Sequence, residues 1–170
     1  MKVFHEVQKF DQWWFRILML AVFAITIGSI YMSVNEIEND NNQIIVILSA
    51  TLITFISIVI VMVYMKLETK INEQGIYYKF WPFNLNYRII SWSEIKECYV
   101  KEYNPIADYG GWGYRGFTPF RSHGKAFNVK GNIGIQIVLQ SRKKILIGTQ
   151  KKEEAENIIN TYNYKLQKRH

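Results

Sequence analysis

Two arrangements in this 170-residue chain have the residue types for chemistry. Residues 111–116, Gly-Trp-Gly-Tyr-Arg-Gly, have the form G-x-G-x-x-G. In a dinucleotide site such glycines leave a strand and open a helix whose N-terminus holds the pyrophosphate. Here Phe117-Thr118-Pro119-Phe120 follows, which cannot start a regular helix, and no clear strand precedes at Asn104-Pro105. A kinase-type phosphate loop needs a downstream lysine strand and a catalytic Asp loop, and neither follows. The match is accidental. Ser122-His123 with Asp108 can be drawn as nucleophile, base and orienting acid. Sequence neighbours on one loop rarely satisfy all three geometric roles, so a hydrolase using His123 stands only as the enzymatic alternative. His5 and His170 lie far from that loop in sequence, and no Cys, His or carboxylate cluster has metal-ligand spacing. The single cysteine, Cys98, sits between Ile95 and Val100 and reads as a small packed residue rather than a nucleophile. The expectation is a protein with no catalytic residues, metal or cofactor.

Binding has more material. The segment Tyr103–Lys125 holds six aromatic residues, five glycines and the cations Arg115, Arg121 and Lys125. A loop of 23 residues inside a compact domain points either to function or to disorder, and so many aromatics argue against disorder. Two readings stay open. The rings pack back onto the domain with glycines at positive φ, or Trp112 and Tyr114 enter a partner or membrane interface while Arg115 and Arg121 hold phosphate or carboxylate. A second basic group is Arg142-Lys143-Lys144, continuing at Lys151-Lys152. As a hairpin tip it is either a solvated turn or a contact for anionic lipid. Nucleic acid is not implied: no helix-turn-helix, zinc pattern or RNP-like strand accompanies the net charge of +7.

These residues must be positioned by strands. Beyond Lys66 the apolar period is two. Leu67, Thr69 and Ile71 alternate with charged residues, Asn72–Gly75 reads as a tight turn, and Ile76, Tyr78 and Phe80 share the next strand face. Pro82 ends that strand. Further strands are expected at Tyr87–Trp92, Ile95–Glu102, Ala126–Lys130, Ile135–Gln140 and Ile145–Thr149. The period then becomes helical, because Ala155, Ile158, Ile159, Tyr162 and Leu166 form one stripe.

Ahead of the strands lie two runs with no charge, residues 17–34 and 44–65. A bilayer core takes roughly 20 apolar residues of helix, so both read as transmembrane spans. Trp13, Trp14, Tyr31 and Tyr64 stand where interfacial aromatic belts form. The connecting loop, residues 35–43, carries Glu36, Glu38 and Asp40 and no Lys or Arg, whereas residues 66–170 carry 18 Lys and Arg against nine Asp and Glu. Positive flanks stay inside, so both termini are expected in the cytoplasm.

Seven strands followed by one helix is also the element order of the pleckstrin-homology (PH) fold. The stretches "IISWSEI" (89–95), "GGWGYRG" (110–116), "AFNVKGNIGIQIVL" (126–139) and "ILIGTQKKEEAENII" (145–159) resemble PH-like domains of small bacterial membrane proteins. The resemblance implies a bacterial inner-membrane protein: a membrane α-helical hairpin plus a mainly-β domain, a seven-stranded antiparallel barrel or sandwich capped by a C-terminal amphipathic helix. Its divisions are a cytoplasmic segment 1–16, spans 17–34 and 44–65 around an external loop 35–43, and a PH-like domain 66–170. Phosphoinositide-binding members place several cations in the first hairpin loop; here that loop is Asn72-Glu73-Gln74-Gly75, so inositol-phosphate binding is not implied. The expected role is a non-enzymatic binding or scaffolding module, with a subunit or assembly factor of a larger membrane complex as the alternative. The expected partners are the bilayer and a protein, including self-association through small residues of the spans.

The orientation is testable. A cysteine placed at Asn39 in a Cys98→Ala background should react with an impermeant thiol reagent on intact cells. Reaction only after lysis reverses the topology.

Overall fold

The computed structural model describes residues 2–11, 13–36, 41–115 and 124–167. The chain divides into two compact units: Phe10–Tyr64, and Met1–Lys9 together with Met65–His170.

The first unit is a pair of helices, α1 (Trp13–Glu36) and α2 (Asn41–Tyr64), of 24 residues each. The 19-residue stretch Asn42–Ile60 of α2, with mean hydropathy 2.5, is long and apolar enough to cross a membrane, while the apolar run Ile17–Met32 of α1 is shorter. Phe23 of α1 packs on Phe55 of α2 with ring centroids 4.2 Å apart. Large apolar side chains point outward on both helices, among them Leu20, Ile25, Ile45 and Ile53. The hydroxyls of Thr26, Ser29, Thr51, Thr54 and Ser57 each donate to the carbonyl four residues earlier, so these polar groups are satisfied within their own helix.

The second unit is mostly β. Its strands are β1 (Phe4–Lys9), β2 (Lys66–Ile71), β3 (Gly75–Trp81), β4 (Arg88–Ser91), β5 (Ile95–Glu102), β6 (Gly113–Arg115), β7 (Lys125–Asn128), β8 (Ile133–Leu139) and β9 (Lys144–Gly148). Among the described residues they form two sheets, a four-stranded antiparallel sheet in the order β1-β2-β3-β4 and a five-stranded sheet in the order β5-β8-β9-β7-β6. A short helix, α3 (Pro105–Tyr109), lies between β5 and β6, and α4 (Lys152–Tyr162) and α5 (Tyr164–Gln167) follow β9.

The seven expected strands are all present, but not as the expected seven-stranded, all-antiparallel barrel or sandwich. Neither sheet closes, β7 pairs with β9 in parallel, and two further strands exist. Each addition has a physical reason. β1 escapes the apolar-alternation test because its buried face is Phe4, Glu6 and Gln8, two of them polar, while the apolar Val7 points outward. Glu6 accepts from Thr149 Oγ1 at 2.6 Å and from the Gln150 N–H at 2.8 Å, and Gln8 Nε2 donates to the Gly148 carbonyl at 2.7 Å, while Gln8 Oε1 is buried with no hydrogen-bond partner among the described residues. β6 is three residues long and begins with a glycine, so its propensity is poor. Its ladder to β7 supplies the order.

The core of this unit includes Leu67, Ile71, Ile76 and Phe80 from the four-stranded sheet and Ile135, Ile137, Leu146 and Ile147 from the five-stranded one. Four residues of the helical stripe read in the sequence, Ala155, Ile158, Ile159 and Tyr162, are the buried face of α4, whereas the fifth, Leu166, lies in α5 and is half-buried. Helix α4 packs against β1, β5 and β8. At its far end Trp92 and Tyr162 pack at 5.6 Å, and Tyr162 donates from its hydroxyl to the Lys2 carbonyl at 2.6 Å.

Ile137 and Ile158 are therefore both core residues. Truncating either to Ala in the full chain in detergent micelles should cost about 2–5 kcal/mol by urea unfolding, the usual loss at an emptied core site. A change within about 0.5 kcal/mol, typical of surface positions, shows that the site is not packed as described.

Candidate functional site

The segment Tyr103–Lys125 is built up to Arg115 as follows; residues 116–123, and with them Arg121, Ser122 and His123, lie outside the described residues. Asn104 caps α3, its Oδ1 accepting from the N–H groups of Ile106 (3.1 Å) and Ala107 (3.0 Å). Asp108 answers by accepting the Asn104 N–H at 3.0 Å. The arrangement is reciprocal, with the acid one position beyond that of a capping box, and it gives Asp108 a structural task. Gly110 closes the helix at φ 76°, a left-handed conformation that glycine adopts without a Cβ penalty.

The rings of this segment pack inward. Tyr103 and Tyr109 are buried edge to face at 5.7 Å in a small cluster with Ala126 and Leu146. Burial pushes the Tyr109 hydroxyl up to about 12, with the Asp108 carboxylate adding to the effect. The fully buried Asn128 ties the segment down twice, donating from Nδ2 to the Tyr103 hydroxyl and accepting the Gly113 N–H at Oδ1, both at 2.8 Å. Trp112 donates from Nε1 to the Gly131 carbonyl at 3.0 Å. Tyr114 stacks on Phe127 at 4.7 Å and meets Phe83 edge-on at 5.5 Å. Trp112 and Tyr114 thus make contacts within the domain while each stays half-exposed.

The cations are placed differently. Arg115 is exposed, its Nε donating to the Trp112 carbonyl at 2.9 Å. Lys125, Arg142, Lys143 and Lys144 are exposed as well. The parallel register sets Lys125 opposite Ile145, and Arg115 lies opposite Ala126, the next residue of β7. Gly124 makes this approach feasible: at φ 81°, a Cβ there would stand 2.2 Å from the Lys144 carbonyl oxygen. The two basic groups seen separately in the sequence, Arg115 with Lys125 and Arg142–Lys144, thus share one end of the five-stranded sheet. At the turn between β8 and β9, Arg142 takes φ 64°, a region non-glycine residues rarely occupy. The Arg142 N–H donates to the Leu139 carbonyl at 2.9 Å and the Leu139 N–H to the Lys143 carbonyl at 2.9 Å.

Among the described residues none of these five cations forms an ion pair with a carboxylate. Lys151 and Lys152, which continue the basic run in sequence, are separate from them. Lys151 pairs with Glu154 at 2.9 Å and Lys152 with Glu102 at 3.6 Å. Like charges held together without counterions raise the local potential and favour an anionic surface over a neutral one. Cys98 has no comparable setting, since burial pushes its thiol up to about 12, far from the range of a reactive thiolate.

Comparison with models of protein families, with curated proteins and with solved structures finds no match for the chain. The site is therefore argued from its own residues. Two were passed over in the sequence, where Pro82 marks only a strand end: Phe83 is 53% and Leu85 69% exposed in the β3–β4 loop. Two large apolar residues within a short turn of a strongly charged domain were the signal available.

Asn128→Ala should orphan the Gly113 N–H and the Tyr103 hydroxyl together. The expected loss is about 1–3 kcal/mol, with proteolytic nicking appearing first within residues 103–125. Unchanged stability and protease resistance mean that other contacts hold the segment.

Proposed function

We propose that this chain is a membrane-anchored, non-enzymatic binding or scaffolding module with two spans, both termini cytoplasmic and a PH-like β unit held at that face of the membrane. One observation carries the reading. The apolar helix pair is inserted between two strands, β1 and β2, that pair with each other over six residues, so the chain leaves the β unit at Lys9 and re-enters it at the opposed Lys66. An insertion of this kind adds nothing to the β core, and its outward-facing side chains are apolar over most of two helices. Exposed to water such a surface is costly, whereas in lipid it is the expected exterior.

The PH-like reading draws support from the order of elements: an antiparallel meander β2-β3-β4, a second set of strands, then an amphipathic helix against the sheets. The parallel β7–β9 pairing and the added β1 depart from it. The binding role rests on the five cations gathered at one end of the five-stranded sheet, which suit an acidic surface of a partner protein.

A second reading, a subunit or assembly factor of a larger membrane complex, is favoured by a groove of about 250 Å³ on the helix pair, lined in part by Val22, Thr26, Ala50, Thr51 and Thr54. Small side chains there suit close approach of another helix.

One set of variants separates the two. Lys125→Gln with Arg142→Gln, Lys143→Gln and Lys144→Gln should leave the melting temperature nearly unchanged, as surface changes usually do. The same change should abolish recovery of the partner from gently solubilised membranes. Undiminished recovery, lost instead on Ala50→Leu with Thr54→Leu, moves the interface to the helices and favours the second reading.

A further inference from the structure

The outward face of the four-stranded sheet and the β3–β4 loop beside it have not yet been given a role. On that face the register aligns Lys9, Lys66 and Trp81 in one row, Val7, Glu68 and Lys79 in the next, and His5, Lys70, Tyr77 and Ile89 in a third. Tyr87 lies over it: the hydroxyl donates to Glu68 Oε2, and the Lys70 ammonium stands 4.5 Å from the ring centroid. Glu68 also takes Lys66 Nζ at 2.7 Å. The face is thus aromatic and basic, with one carboxylate among four lysines.

The loop departs from the row of Trp81. It is not slack. The Asn84 N–H donates to the Phe80 carbonyl at 2.8 Å, the Asn84 side chain is buried, and the Phe83 ring stacks on Phe80 at 5.6 Å. Phe83 and Leu85 are nevertheless mostly exposed, so the fold holds two large apolar groups outward on a fixed support. The position of the loop is constrained covalently. Met65 alone separates the last residue of α2 from Lys66, a reach of no more than about 7 Å, and Lys66 is the direct partner of Trp81, where the loop begins.

We propose that the β3–β4 loop and the adjoining face of the four-stranded sheet are a contact surface for an anionic bilayer, with Phe83 and Leu85 entering the headgroup layer and Lys66, Lys70 and Lys79 meeting lipid phosphates. The proposal rests on the membrane-anchored reading above. Apolar tips at the interface flanked by lysines and by Trp and Tyr are the residue classes this environment selects, and each lysine near an anionic surface strengthens binding about fivefold. The lipid is favoured over a protein partner because the end of the sheet bearing the loop is the end the chain reaches from an apolar span.

The test uses the full chain in a Cys98→Ala background, spin-labelled at Leu85→Cys, Ile106→Cys or Ile53→Cys and reconstituted into vesicles of phosphatidylcholine with phosphatidylglycerol. Accessibility to a water-soluble paramagnetic chelate is read against accessibility to oxygen. The label at residue 85 should be several-fold less open to the chelate than that at residue 106, an exposed position on α3, and residue 53 should be closed to it. Residue 85 as open as 106 while 53 is closed overturns the loop proposal and leaves the anchor intact. All three open overturns the anchor itself. Shielding of 85 only when each vesicle carries many chains assigns the surface to a second copy and overturns the lipid assignment. Lys70→Gln with Lys79→Gln should raise chelate access at 85 and remove its dependence on salt; no change in either overturns the role given to the lysines.

Discussion

The β unit depends on one seam, the pairing of β1 with β2 and the burial of Glu6 behind it. Glu6 is only 5% exposed, yet a carboxylate out of water must be compensated by partners. Its compensation comes from the Thr149 hydroxyl and the Gln150 N–H, at the point where β9 turns into α4. The start of that helix carries partial positive charge, which favours an anion there. A single side chain of the four-stranded sheet therefore joins the five-stranded sheet and the covering helix, and Gln8, one step along the same strand face, repeats the link at Gly148.

Much of the fold was legible because the residues that build it obey simple periods. Leu67, Ile71, Ile76 and Phe80 alternate, Ala155, Ile158, Ile159 and Tyr162 recur at helical spacing, and all are buried. What stayed hidden follows from interactions that period does not encode. β1 looked like a polar segment ahead of the first span because Glu6 and Gln8 occupy its inner face, and their partners stand 140 or more residues away in sequence. The parallel pairing of β7 with β9 has no local signature at all. It is set by packing, and by Gly124 allowing the backbone of Lys144 to approach.

The candidate site divides along the same line. Aromatic residues and glycines marked residues 103–125 as unusual, and composition could not decide between packing and binding. What holds the described part of that segment in place is hydrogen bonding across the chain, chiefly that of Asn128 with Tyr103 and Gly113. Packing of the rings, though, is what fixes β6, and β6 is what carries Arg115 to the same end as Lys125. The described part of the segment thus buries Tyr103 and Tyr109, leaves Trp112 and Tyr114 half-exposed, and leaves Arg115 exposed.

The seam also imposes an order of events. β1 precedes the helices in the chain and β2 follows them, so the first strand made waits for its partner until residues 10–65 have been synthesised. For a flexible chain of that length, closing the ends costs about 3–4 kcal/mol. During the wait β1 is itself an unpaired strand, whose open backbone can recruit foreign strands. Charge guards it: Glu6 and Lys9 stand in this six-residue strand, and charged side chains are found on protected edges. The polar residues that hide β1 from a reading of apolar period thus also protect a nascent chain whose first strand has nothing yet to pair with.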